Sequence, residues 1–196
     1  MPSSRKSAPS GSIYVLHVKL EEIQPPIWRE LHVQAGTSLS RLHAILQEAF
    51  GWTDSHLHQF ETHSKRYGPR LPGDDFGLGL VPPTLNEHKY LLSDIAPAAR
   101  ASFTYVYDFG DSWVHRIRVK KVQPAQARMR YPACTAGARA APPEDCGGVP
   151  GYENLLEALR DPGHEGREEL LEWVGGSYDP EAFDLEATDK AVRAAR

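Results

Sequence analysis

Alternation of apolar and polar residues opens the chain. In Ile13 to Leu20 (IYVLHVKL), Tyr14, Leu16, Val18 and Leu20 share one face, the period of a strand. Pro25-Pro26 interrupts the pattern, and Ile27 to Val33 (IWRELHV) reads as the return strand of a loose hairpin. The period then lengthens. Leu39, Leu42, Leu46, Ala49 and Phe50 fall on one helical stripe, with Thr37 or Ser38 as its cap and Gly51 as its terminator. His56 to Thr62 (HLHQFET) returns to strand character. Residues 65–97 are rich in Gly, Pro and Asp, which predicts an irregular excursion with a short helix near Leu91 to Ile95.

Ala101 to Val122 (ASFTYVYDFGDSWVHRIRVKKV) predicts two strands about a type II′ turn at Gly110-Asp111. That register pairs Asp108 with Trp113 and Val106 with His115. Val106, Asp108, Trp113, His115, Ile117 and Val119 then share one face. Phe103, Tyr105, Tyr107, Val114, Arg116, Arg118 and Lys120 share the other. A slip of one residue would exchange the faces. Tyr131 to Tyr152 (YPACTAGARAAPPEDCGGVPGY) has the composition of neither an amphipathic helix nor a strand, so it reads as a long loop. Tyr152 to Arg160 and Arg167 to Val174 read as helices, and Asp179-Pro180 as the start of a final helix or turn towards Val192. Strands first and helices last predict a single-domain α+β fold, a mostly antiparallel sheet of about five strands covered by helices.

Composition narrows the class. The chain has 196 residues, 40% of them hydrophobic, which suffices for one core but not for two large domains. The polar start (MPSSRKSAPSGS) lacks the apolar centre of a signal peptide, so residues 1–12 read as a disordered tail and 13–196 as the domain. No apolar run approaches the roughly 18 residues of a membrane span, and two cysteines make no secreted disulfide framework. A cytoplasmic location without a membrane partner is the expectation. The net charge of −4 disfavours a general nucleic-acid coat protein.

Five blocks carry a resemblance. They are Ile27 to Val33, Ala49 to Phe60 (AFGWTDSHLHQF), Tyr107 to His115 (YDFGDSWVH), Pro142 to Leu159 (PPEDCGGVPGYENLLEAL) and Glu172 to Ala187 (EWVGGSYDPEAFDLEA). In content and order the chain resembles the Ri-plasmid ORF-three-like family, also filed as insertion-element passenger proteins with a resolvase-like label. The resemblance implies a compact α+β domain of bacterial or archaeal origin and leaves its activity open. A serine recombinase needs a nucleophilic serine amid arginines and a basic DNA-binding module, and this acidic chain with scattered arginines has neither. Family members commonly read Cys-Pro-Pro-Glu-Asp-Cys in the loop. Ala141 stands here in place of the first of those cysteines, so a site built on three thiolates is incomplete.

Three constellations could carry chemistry. Cys134 and Cys146 with His56, His58 or His115 offer the sulfur and nitrogen ligands of zinc, although the cysteines are not in a C-x-x-C pair and also suit small buried positions. Asp108, Asp111 and His115 offer carboxylates beside an imidazole, the elements of general-base catalysis. Equally, Asp111 could be a turn former and His115 a satisfied histidine beside Trp113. Glu144 and Asp145 suit a cation or the start of the Tyr152 helix. Tyr105, Arg116, Arg118 and Lys120 could form a stacking and basic face for single-stranded nucleic acid. No phosphate-binding glycine loop or nucleophile elbow is present. The leading expectation is a non-enzymatic accessory or interaction domain of mobile-element origin with a structural metal. The alternatives are a metal-dependent hydrolase using His56, His58, Asp111 and His115, and a nucleic-acid-binding module.

Overall fold

The computed structural model describes residues 11–70 and 83–196. Two alternating segments at the start of the chain form the expected hairpin: β1 (Ser12–Leu20) pairs antiparallel with β2 (Trp28–Gln34), from Ile13 opposite Gln34 to Lys19 opposite Trp28. Ser12 already lies in β1, so the expected tail overlaps the sheet at its last residue. Helix α1 (Leu39–Phe50) follows. Of the two candidate caps Ser38 acts, its Oγ accepting from the Arg41 backbone at 3.2 Å. Gly51 ends the helix in the left-handed conformation (φ 74°), donating its N–H to Gln47 at 2.8 Å.

The sheet has eight strands among the described residues, in the order β5-β4-β3-β6-β7-β1-β2-β8, against the five expected. Among the described residues only the β4–β5 pair is parallel. Strands β3 (His58–Glu61) and β6 (Ser102–Tyr107) fall inside the segments read as strands, and β7 (Trp113–Pro124) runs two residues past the end of its segment. The additions are β4 (Arg66–Gly68), β5 (Leu85–Asn86) and β8 (Ala133–Ala138). The first two are too short to show a period. They lie in the stretch read as irregular, beside a 3₁₀ turn at Glu87–Lys89 and the short α2 (Leu92–Ile95).

Strand β8 lies inside the segment read as loop. Its sequence, ACTAGA, has neither alternation nor bulky β-formers, and it is ordered by pairing along β2. Gly137 in β8 has a packing reason: a Cβ there would sit 2.4 Å from the Phe183 ring and 2.9 Å from Cδ of Arg29.

The β6–β7 hairpin corrects the expected register. Tyr107 pairs with Trp113, Val106 with Val114, and Tyr105 with His115. Five residues, not a two-residue turn, make the connection. Asp108 and Ser112 both adopt φ 56°, the Asp108 carboxylate accepts from Gly110 N at 2.8 Å, and Ser112 N donates to Asp108 O at 2.6 Å. Asp tolerates the left-handed region and bonds the backbone two residues on, so it closes the wider turn. The one-residue change moves Phe103, Tyr105 and Tyr107 onto the buried face with Trp113, His115 and Ile117.

Three helices close the chain: α3 (Gly148–Arg160), α4 (Arg167–Trp173) and α5 (Leu185–Ala194). Asp184, not Asp179, caps α5, accepting from Ala187 N at 2.9 Å; Asp179 only closes a turn onto Glu181 N. Helix α5 packs against α1 and β8. One hydrophobic core joins β1, β2, α1, β6, β7, α3 and Val192 of α5, so the fold is α+β as expected.

Beneath that core lies a buried arginine. Arg29 of β2 is 3% exposed and has no carboxylate partner among the described residues. Its guanidinium donates to the carbonyls of Trp28, Ala49, Ala138 and Arg139 at 2.8–2.9 Å and packs on the Phe50 and Phe183 rings. The Ala49 carbonyl belongs to the C-terminal turn of α1, which has no basic residue of its own. Arg29 supplies that charge from the sheet.

Candidate metal centre

Four segments converge on an open cleft of about 680 Å³ beside the β3 end of the sheet. Helix α1 presents His43, the turn after α1 presents Asp54 and His56, β3 presents His58, and the 3₁₀ turn presents Glu87. Helical spacing explains His43: it lies four residues after Leu39 and three before Leu46, within the buried stripe. Gly51 then reverses the chain, and Asp54 N–H is pinned to Gln47 Oε1 at 3.0 Å.

The imidazoles of His43 and His58 stack in parallel, centroids 3.4 Å apart and planes 6° apart. His43 Nε2 faces Asp54 Oδ1 at 2.7 Å, and its Nδ1 faces the Tyr105 hydroxyl at 2.8 Å. Gln47 Nε2 donates to the same hydroxyl at 3.0 Å, so the Tyr105 proton is directed to His43 Nδ1 and the His43 ring proton to Asp54. His58 Nε2 meets the buried Glu87 carboxylate at 2.8 Å. Burial, with the neighbouring His58 ring second, lowers the His43 pKa below the ordinary histidine value; burial also raises Tyr105 well above the usual phenol range. Two imidazolium rings in contact would repel, so the stack keeps at least one lone pair in hand. Ligand atoms of His43, Asp54 and His58 lie within 4.8 Å of one another, the two-imidazole, one-carboxylate set of many divalent-metal sites.

A second group adjoins the first. Ligand atoms of His56, Asp108 and Asp145 also lie within 4.8 Å of one another. His56 Nε2 is 3.1 Å from Asp145 and 3.7 Å from Asp108.

Of the residues singled out from sequence, His56 and His58 reach the cleft. His115 does not. It is fully buried among Phe50, Trp52 and Tyr105, and its Nδ1 faces the backbone carbonyls of Trp113 (3.1 Å) and Tyr105 (3.3 Å). Burial pushes its pKa down to about 3. The expected Asp108–His115 neighbour pair is undone by the register. Cys134 and Cys146 are free thiols, and neither metal-competent group among the described residues includes a cysteine. Burial pushes Cys134 up to about 11 and Cys146 up to about 12, the latter helped by Asp111, so both are poor thiolate donors. The aromatic and basic sets also part. Tyr105 is buried, while Arg116 and Arg118 are exposed on the opposite side, and Lys120 pairs with Glu30 at 2.5 Å.

Asp111 has a structural task. Its Oδ2 accepts from Gly147 N at 3.2 Å, at the start of α3, which has no side-chain cap of its own. Gly148 (φ 67°) lies against the Asp111 backbone, where a Cβ would meet the carbonyl at 2.7 Å. Asp111→Ala is expected to lower stability by about 1 kcal/mol, the usual worth of an N-terminal cap, in urea denaturation.

His43, Asp54 and Glu87 escaped the sequence reading. His43 and Gln47 do carry a signal, as polar residues inside an otherwise apolar helical stripe. Asp54 reads as a turn residue, and Glu87 sits in a stretch without periodicity.

Fold and site together define an α+β domain with a histidine–carboxylate cleft at one end of an antiparallel sheet. The chain belongs to the Plasmid pRiA4b ORF-3-like protein family, whose match spans residues 12–187. It is 40% identical over 183 residues to the uncharacterized protein y4hQ of Sinorhizobium fredii (strain NBRC 101917 / NGR234), covering 93% of this chain and 91% of that one. Its structure resembles the crystal structure of a protein of unknown function from Methanosarcina mazei Go1, with TM-score 0.79 and 37% identity over 89% of this chain and 96% of the other. Among the described residues no helix is long and apolar enough to cross a membrane.

Proposed function

We propose that the protein is a metal-dependent hydrolase that holds a divalent cation at His43, Asp54 and His58. The observation that carries this reading is the convergence of those three side chains in a cleft open to solvent. Structural zinc sites close around the ion with four protein ligands, whereas three ligands and an open side leave room for water and substrate. The outer contacts agree. Glu87 holds His58 through Nε2 and Tyr105 holds His43 through Nδ1, the backing that orients metal-binding imidazoles. Such an ion supplies a water acidified to near neutral pH.

Loading the site would change what these residues do. Holding the ion would require a free lone pair on His43 Nε2, with the ring nitrogen Nδ1 kept against the Tyr105 hydroxyl and Asp54 turned from acceptor to ligand.

The test uses protein prepared without a histidine tag, stripped of metal and titrated with Zn²⁺ by calorimetry, then assayed on ester, phosphoester and amide substrates. The expected result is binding that Asp54→Asn abolishes at this site and Glu87→Gln weakens by about 10- to 100-fold. Turnover is expected to depend on the ion. An unchanged isotherm for Asp54→Asn would overturn the reading. Binding without turnover on the panel would instead favour a structural ion in an accessory domain.

A further inference from the structure

We infer that His56, Asp108 and Asp145 form a second divalent-cation site, which latches the Pro142–Cys146 loop to the end of the sheet. It is separate from the cleft ion and does not depend on it. The three residues come from three segments far apart in the chain: the turn before β3, the β6–β7 connection and the proline-rich loop after β8.

The loop arrives prepared. Glu144 is held by the Tyr107 hydroxyl and the Thr53 hydroxyl, each at 2.5 Å, and by Thr53 N at 3.1 Å. Trp52 Nε1 donates to the Pro142 carbonyl at 3.0 Å. Those contacts bring the next carboxylate, Asp145, to His56.

The unusual feature is at His56 itself. Its Nε2 is closed off from solvent and makes no hydrogen bond, although carboxylate oxygens of Asp145 and Asp108 stand 3.1 and 3.7 Å away. In an ordinary ion pair the ring N–H would point at one of them. Here the nitrogen and both oxygens surround a common space instead. Asp108 spends its other oxygen on Gly110 N, which leaves Oδ2 turned to His56. Asp108 (φ 56°) and Asp145 (φ 60°) both take left-handed backbone to present these groups.

One imidazole and two carboxylates suit Mn²⁺ or a similar borderline cation, with water completing the shell. The consequence is a loop whose closure depends on the ion.

The experiment counts bound Mn²⁺ by the loss of the free-ion electron paramagnetic resonance signal and follows amide hydrogen exchange over residues 141–147. For the wild type, two ions and at least fivefold slower exchange of the loop with Mn²⁺ are expected. Asp145→Asn and His56→Gln should each bind one ion and lose the protection. Asp54→Asn should also bind one ion but keep it. The proposal is overturned if Mn²⁺ leaves loop exchange in the wild type unchanged, or if neither Asp145→Asn nor His56→Gln reduces the count. A single ion lost in Asp54→Asn and kept in Asp145→Asn overturns the latch and spares the cleft. The converse pattern supports the latch and removes the cleft ion.

Discussion

Arg29→Met is expected to lower the stability of the fold by about 4 kcal/mol, read as a reduced urea midpoint in equilibrium denaturation. The guanidinium serves four backbone carbonyls at once, and two of them, Ala49 and Arg139, lie outside the sheet ladder. Each carbonyl left dry costs about 1–3 kcal/mol. Methionine restores part of the volume and lifts the cost of burying a charge, which burial already reports by lowering the Arg29 pKa to about 10. Arg29→Lys keeps the charge but not the planar fork, and should recover less than half of the loss. A methionine variant as stable as the wild type would show that the carbonyls find other partners.

Acid should act through His115. Its folded pKa is about 3 and its ordinary value 6.5, so the unfolded chain takes up a proton that the folded core refuses. Stability attributable to this group is complete above pH 6.5 and falls as pH drops towards 3, by about 1.4 kcal/mol per unit. Between pH 6 and pH 4 the loss amounts to roughly 3 kcal/mol by that linkage slope. Denaturation of wild type and His115→Gln at a series of pH values isolates it, because other titrating groups are common to both. Parallel pH profiles for the two proteins would remove His115 as the cause.

What the sequence disclosed followed from period and length. The β1–β2 hairpin, the α1 stripe with its Gly51 stop and the α3 helix carry regularly spaced buried positions, so their patterns could be read directly. β8 could not be read that way. Its small residues form a strand because β2 offers an unpaired edge, a property of the partner. The β6–β7 register failed on one turn residue: Asp108 occupies left-handed backbone usually assigned to glycine, and that choice turned three aromatic side chains inward.

The same logic divides the site. His56 and His58 were legible as candidate ligands by residue type, although only His58 lies in β3 and the two join different groups. His43 lay hidden among leucines, because a polar residue in an apolar stripe looks like a lapse until its partner is seen. Glu87 reaches His58 only through tertiary structure. Family membership, established over residues 12–187, accounts for the Pro-Pro-Glu-Asp block without assigning its chemistry.

The strand order has a further consequence for how the chain is made. β1 and β2 precede the other strands in the chain, yet each waits for a neighbour from far along it: β1 for β7, β2 for β8. Arg29 likewise finds the Ala138 and Arg139 carbonyls only after residue 139 has emerged. Until then the N-terminal hairpin lacks its two outer neighbours, and Arg29 lacks half of its carbonyl partners. Closing such distant pairings late is slow, and it makes this sheet an all-or-nothing assembly completed from its last strands inward.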